Sequence, residues 1–219
     1  MSCAALAATL LVAAQAADRN RRAAQQAGES SGAQTTQETA TASAAPDIEA
    51  NAPRVRLTTS EGVFVIALYP QRAPLSTANF LRYVDEGFYA NTLFHRVIGN
   101  FVVQGGGFSA ADESAKPTHE FVANESGSGL RNVRGTVGAA RSENPHSASS
   151  EFYINIADNP DLDPLPTRWG YAVFGRVVEG MDVVDRMGTV ATGSVGPFKK
   201  DSPLKPIVIQ KAERLPPAK

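Results

Sequence analysis

Residues 94–107 read Phe94-His95-Arg96-Val97-Ile98-Gly99-Asn100-Phe101-Val102-Val103-Gln104-Gly105-Gly106-Gly107, two short apolar runs separated by Gly99-Asn100 and followed by glycines. Runs this short, bounded by turn-forming residues, have the length of strands. Successive strand side chains point to opposite faces, so Arg96 is expected to share a face with Phe94 and Ile98, and Gln104 with Val102. Segments of the same kind recur in both directions. Upstream, Val55 and Leu57, then Val63, Val65, Ala67 and Tyr69, follow a period near two around Glu61-Gly62, as an antiparallel hairpin does. Downstream, apolar runs at 133–140, 152–156 and 171–178 are each bounded by Gly, Pro, Asn or Asp, and 206–212 reads as a closing strand. Only two segments have the character of helices. Leu75, Ala78, Phe80, Leu81 and Val84 follow Pro74 at helical spacing and stop at Gly87, and Met181 to Met187 is introduced by Glu179-Gly180. Seven or eight strands with two helices predict a mainly β chain, a closed barrel with a helix at each end, because closure leaves no exposed sheet edge.

The barrel accounts for only part of the 219 residues. Ala4 to Ala16 is apolar or small and Ala14-Gln15-Ala16 offers a small-x-small cleavage pattern, so residues 1–17 are expected to be a cleaved export signal. The stretch is too short to span a bilayer stably. No basic residue precedes it, and a lipid-attached Cys3 or a cytoplasmic protein are the alternatives. Residues 18–52 are rich in Ala, Gln, Thr, Ser and Glu, with too few large apolar groups to offset the entropy of ordering, and read as a flexible linker. Residues 53–219 carry the folded domain. Lys and Arg total 21 against 22 Asp and Glu with no long run of either sign, which excludes the basic footprint of a nucleic-acid binder. Cys3 is the single cysteine, so an internal disulfide and a cysteine zinc site are ruled out. With no long exposed apolar stripe, a monomer is expected.

Few residues point to chemistry by pattern alone. A guanidinium at Arg96 among apolar neighbours must find acceptors or face a ligand, and a half-buried ion pair at the barrel rim would satisfy it. Gln104 could equally cap a neighbouring loop. His95, His119 and His146 have no ligand spacing and no carboxylate cluster beside them, so no metal is expected. Gly105 to Gly107 lacks the Gly-Lys-Ser/Thr of a phosphate loop, and His146 with its neighbouring serines lacks a Gly-x-Ser-x-Gly turn.

Taken together, the run Phe94 to Gly106, Ser150-Glu151-Phe152-Tyr153-Ile154-Asn155 and Phe174-Gly175-Arg176-Val177 resemble the cyclophilin family of peptidyl-prolyl isomerases in its Gram-negative bacterial form. Supporting segments in the same order include Ala78-Asn79-Phe80, Gly87-Phe88-Tyr89, Asn124-Glu125, Gly135-Thr136-Val137 and Val178-Glu179-Gly180-Met181-Asp182. The resemblance spans about residues 54 to 215. It implies an eight-stranded antiparallel barrel capped by two helices, an isomerase of X-Pro bonds in unfolded or loop segments of client proteins, and no cofactor. Combined with the export signal, it implies a periplasmic protein free of the membrane after processing. It places the catalytic arginine on Arg96, a polar partner on Gln104, and the proline pocket on Phe101, Val102, Tyr153 and Leu162. Ala140, Arg141, Glu151 and Tyr171 would line the substrate groove. Two positions depart from the family. Glu151 stands where most relatives carry glutamine, and could pair with Arg96 or Arg141. Asp161 stands where relatives carry an aromatic, so the resemblance implies poor inhibition by cyclosporin. These departures leave a weakly catalytic proline-binding module or holdase as the alternative function.

Overall fold

The computed structural model describes residues 48–49 and 51–216. The expected export signal and nearly all of the expected linker lie outside the described residues. Eleven strands and two α-helices follow one another as β1 (Arg54–Thr59), β2 (Gly62–Leu68), α1 (Pro74–Asp85), β3 (Thr92–Phe94), β4 (Arg96–Ile98), β5 (Val102–Gly105), β6 (Thr136–Ala139), β7 (Phe152–Asn155), β8 (Val173–Glu179), α2 (Met181–Met187), β9 (Thr192–Val195), β10 (Phe198–Pro203) and β11 (Ile207–Arg214). Among the described residues no helix is long and apolar enough to cross a membrane.

Nine strands form one antiparallel sheet in the order β3-β11-β1-β2-β8-β6-β7-β5-β4. Its two ends, β3 and β4, are halves of one stretch interrupted at His95. The sheet therefore returns to the segment on which it began, and a nearly closed barrel results. The expected eight staves become nine strands because the stave 92–98 is broken.

That break corrects the expected facing of Arg96. Unbroken alternation would put Phe94 and Arg96 on one face. Instead Phe94 and Val97 both enter the central core, and His95 packs among aromatic rings, 4.6 Å from Phe108 and 5.3 Å from Phe198 between ring centroids. One extra residue in the stave shifts the parity, as a bulge does, and leaves Arg96 paired in register with Gln104 away from the core.

Strand β2 also differs from expectation. Its central-core side chains are Phe64, Ile66 and Leu68, whereas Val63, in the expected set, is 46% exposed. Val65 and Ala67 are buried as well, so β2 is covered on both faces and alternation does not reveal which face meets the core.

Helix α1 begins with Pro74 in its first turn, where a missing N–H costs nothing. The preceding Ala73 offers no side-chain cap. Glu125, fifty residues away, supplies one: its carboxylate accepts the N–H groups of Leu75 at 2.9 Å and Ser76 at 2.7 Å. Of the residues expected on the buried face, Phe80, Leu81 and Val84 face inward, whereas Leu75 and Ala78 are exposed and Thr77 is buried in addition. Phe80 lies 5.2–5.4 Å from Tyr89, Phe152 and Phe174, and truncating such a side chain costs about 3–5 kcal/mol. Helix α2 adds Val183, Val184 and Met187 to the same core. The β9–β10 hairpin was not foreseen in the sequence; it packs beside β4 and brings Phe198 onto His95.

Candidate active site

An open cavity of about 230 Å³ lies on the outer surface of β4–β7, lined by Arg96, Gln104, Phe101, Val102, Tyr153 and Leu162, with Ala140, Arg141 and Tyr171 along one wall. Nine of the ten residues singled out in the sequence therefore meet at one place. Strand register does most of this work. Gln104 on β5 stands opposite Arg96 on β4 and opposite Tyr153 on β7, so the polar rim and the aromatic floor are adjacent staves. Gly138 on β6 pairs with Tyr153, and a Cβ there would sit 2.3 Å from the Tyr153 ring and hydroxyl. The absent side chain is what lets the tyrosine lie flat against the sheet.

The floor is fixed by a buried polar network that the sequence does not announce. Tyr153 donates its hydroxyl to Asn132 Oδ1 at 2.6 Å, and Asn155 Nδ2 donates to the same oxygen at 3.2 Å and to Thr136 Oγ1 at 2.8 Å. Asn159 Nδ2 donates to Asn155 Oδ1 at 2.7 Å and to the Phe101 carbonyl at 3.0 Å. Asp163 accepts the Asn132 N–H at 2.7 Å, and the Tyr171 N–H donates to the Leu162 carbonyl at 2.8 Å. Every apolar residue of the floor is thus tied, directly or through one neighbour, to an amide lattice. Burial holds the Tyr153 phenol well above its ordinary pKa, so it serves as a neutral donor.

The wall is equally constrained. The Arg141 guanidinium stacks over Tyr171 at 4.3 Å and donates to the carbonyls of Gly170 at 3.3 Å, Trp169 at 3.0 Å and Ser142 at 2.9 Å. With its donors committed to backbone, it presents an arginine–tyrosine face to the cavity more than a free charge.

The rim is charged. Arg96 Nη1 donates to Gln104 Oε1 at 3.1 Å, and Gln104 Nε2 donates to Glu151 Oε2 at 2.8 Å. Arg96 Nε also stands 4.0 Å from Asp201 Oδ2, a β10 residue missed in the sequence. Glu151 does not line the cavity and pairs with neither Arg96 nor Arg141. It sits behind Gln104 against Gly107, where a Cβ would come within 2.5 Å of Glu151 Cγ. Its Oε2 is 3.5 Å from His95 Nε2, and His95 Nδ1 is buried without a partner. Burial raises the Glu151 pKa, with the Gln104 hydrogen bond opposing. Burial, and then the neighbouring Arg96 charge, lower His95 to about 4. The other histidines lie apart: His119 Nε2 is 2.7 Å from Glu86, and His146 Nδ1 accepts the Asn124 N–H at 3.1 Å.

Residues 54–214 match the model of the family described as cyclophilin type peptidyl-prolyl cis-trans isomerase/CLD. The chain belongs to the cyclophilin family. This cyclophilin is 53% identical over 159 residues to peptidyl-prolyl cis-trans isomerase A of Dickeya dadantii, covering 73% of this chain and 83% of that protein. It is 46% identical over 155 residues to peptidyl-prolyl cis-trans isomerase B of Escherichia coli, covering 69% and 93%. A solved cyclophilin of Cryptosporidium parvum, determined in the presence of the dipeptide Ala-Pro, matches with a TM-score of 0.61 at 25% identity over 74% of this chain and 99% of that one. With family and relatives in agreement, this cyclophilin is a peptidyl-prolyl cis-trans isomerase.

Proposed function

We propose that Arg96 is the catalytic group, that Phe101, Val102, Tyr153 and Leu162 hold the proline ring, and that Gln104, Ala140, Arg141 and Tyr171 bind the flanking peptide. Rotation about a peptide bond costs about 18–20 kcal/mol because the transition state loses amide conjugation. No bond to carbon breaks, so the catalyst needs no nucleophile; it must hold the twisted amide better than either planar isomer. As conjugation is lost, the prolyl nitrogen regains a lone pair. A guanidinium N–H directed at that nitrogen gains strength only as the amide twists, which is fixed electrostatic stabilisation. The observation that carries this reading is the position of Arg96: one edge is held by Gln104 at 3.1 Å, and the side chain borders an apolar cavity of about 230 Å³. The Ala-Pro dipeptide used with the Cryptosporidium protein supports a proline-containing peptide as the occupant here.

The substrates are X-Pro segments of unfolded chains or loops in exported proteins, the setting is the periplasm, and the working unit is a monomer. The apolar segment at residues 4–16 and the small residues around Ala16 support this placement. Amino-terminal sequencing of protein recovered from a periplasmic fraction tests it; an intact Met1 in the cytoplasmic fraction would overturn it. For the chemistry, Arg96→Ala is expected to lower kcat/KM on a short X-Pro peptide by about 10²–10³-fold, the usual effect of removing one preorganised donor. Equal rates for the two proteins would remove Arg96 from the mechanism. Tight peptide binding without catalysed cis/trans exchange in the unaltered protein would mark a binding module instead.

A further inference from the structure

Gln104 stands between two partners that each allow one polarity only. Arg96 is a donor without acceptors, and an ionised Glu151 is an acceptor without donors. Between them the Gln104 amide has one workable orientation, oxygen toward Arg96 at 3.1 Å and nitrogen toward Glu151 at 2.8 Å. A glutamine in place of Glu151 could present either end and would not impose that choice. Arg96 also has a competing acceptor in Asp201, at 4.0 Å.

We propose that Glu151 is a positioning residue for Arg96, acting through the Gln104 amide, and that protonation of its carboxyl loosens this relay and gives the isomerase an acid limb. The proposal rests on Arg96 being the catalytic group. A protonated Glu151 gains an O–H that can donate to Gln104 Oε1, which admits the flipped amide. The flipped amide sets Gln104 Nε2 against the Arg96 N–H, donor against donor, and Arg96 is freed to turn toward Asp201.

Among the described residues no paired cation holds the Glu151 carboxylate ionised. His95, between β3 and β4, faces it at 3.5 Å but is buried among Phe108 and Phe198 and resists charging. Arg96 on β4 and Asp201 on β10 act from beyond Gln104. On the segment after Gly107, Lys116 commits its ammonium to the Phe88 carbonyl, and Arg141 on the far wall is committed to backbone carbonyls. Burial of Glu151 raises its pKa.

The test follows cis/trans exchange of a short X-Pro peptide by protease-free NMR from pH 7.5 downward, with circular dichroism defining the range in which the protein stays folded. In the unaltered protein kcat/KM is expected to fall about threefold or more on acidification, carried by kcat more than KM. Glu151→Gln is expected to abolish the acid limb, and in a Gln104→Ala background the same substitution is expected to have no further effect. A limb that survives Glu151→Gln, or an undiminished effect of that substitution without Gln104, would overturn the relay. The Gln104 side-chain amide resonances read the relay without turnover, and are expected to titrate with Glu151. An active enzyme whose amide signals stay unmoved defeats the relay alone. A titrating amide in a protein without isomerase activity sustains the relay and defeats the functional reading.

Discussion

The two sides of the cavity solve the problem of polar groups near a barrel surface in opposite ways. On the floor, Asn132, Asn155, Asn159 and Tyr153 are neutral, buried and mutually satisfied. On the rim, Arg96, Glu151, His95 and Asp201 carry or can carry charge, and one His95 nitrogen has no partner. A satisfied network of neutral side chains, anchored at Asn132 by the Asp163 carboxylate, is rigid because none of those neutral members gains by moving. A charged and incompletely satisfied set has alternatives. The floor is suited to holding a ring still, and the rim to acting on a bond that turns.

The largest effect that would separate the two sides is on stability against pH. His95 has its pKa lowered from 6.5 to about 4. Between those values the unfolded chain takes up a proton that the folded protein refuses, so stability rises with pH across the window and is lost on acidification. The loss is at most on the order of 3 kcal/mol, since one unit is about 1.4 kcal/mol and a charged imidazole would recover part by pairing with Glu151. Urea melts from pH 7 to pH 4 are expected to show a downward slope that His95→Phe reduces, the remainder coming from carboxylates whose pKa values are lowered by their partners, such as Glu86 and Asp185. Parallel curves for the two proteins would mean that the buried ring titrates normally.

Next comes the shape of the rim charge. Arg96→Lys keeps the charge and loses the planar fork, so one nitrogen must serve both Gln104 and the substrate without the fixed donor directions of the guanidinium. A fall of about 10–100-fold in kcat/KM is expected, smaller than for Arg96→Ala and with little change in stability. A lysine variant as active as the unaltered enzyme would show that charge alone suffices.

A floor substitution should show the converse. In Gly138→Ala the new methyl meets the Tyr153 ring at 2.3 Å, and the strand or the tyrosine must give way. Overpacking of this kind costs about 1–3 kcal/mol. Stability and KM are expected to worsen together, with no change in the pH dependence of either. A stable variant with an intact KM would show that the Tyr153 ring can shift without harm to the site.

The floor and rim also differ in how far they were legible. Most strands, both helices and nine cavity residues lie where the sequence places them, but the cavity residues were found through resemblance, not through periodicity. Periodicity misled at Arg96, because the broken stave at His95 depends on rings from Phe108 and Phe198, the latter on a hairpin whose Lys199-Lys200-Asp201 does not read as a strand. It misled over β2 because residues 64–68 are buried on both faces, so their uniformly apolar run does not show which face meets the core. The asparagine lattice was missed for a related reason. Asn132 and Asn159 lie in loops where asparagine is ordinary, and Asn155 ends a strand. Nothing local marks them as buried; that follows only from the pairing of β6, β7 and β8. The Glu151 departure was visible, yet its partner was not, since Gln104 lies forty-seven residues away.

The smallest expected effect probes whether the floor is as redundant as its connections imply. Tyr153→Phe removes one hydroxyl from Asn132 Oδ1, but Asn155 Nδ2 still reaches that oxygen at 3.2 Å. The remaining donor limits the cost to about 1 kcal/mol, the net worth of one hydrogen bond, because no buried acceptor is left bare. Asn155→Ala, by contrast, strips donors from Asn132 and Thr136 together and an acceptor from Asn159, so it should cost about two to three times as much. Denaturant melts of the two variants give the ratio directly. If Tyr153→Phe proves the more damaging, the lattice is anchored at its edge, on the residue facing the substrate, and the floor would then be more sensitive to an occupant than its hydrogen bonding implies.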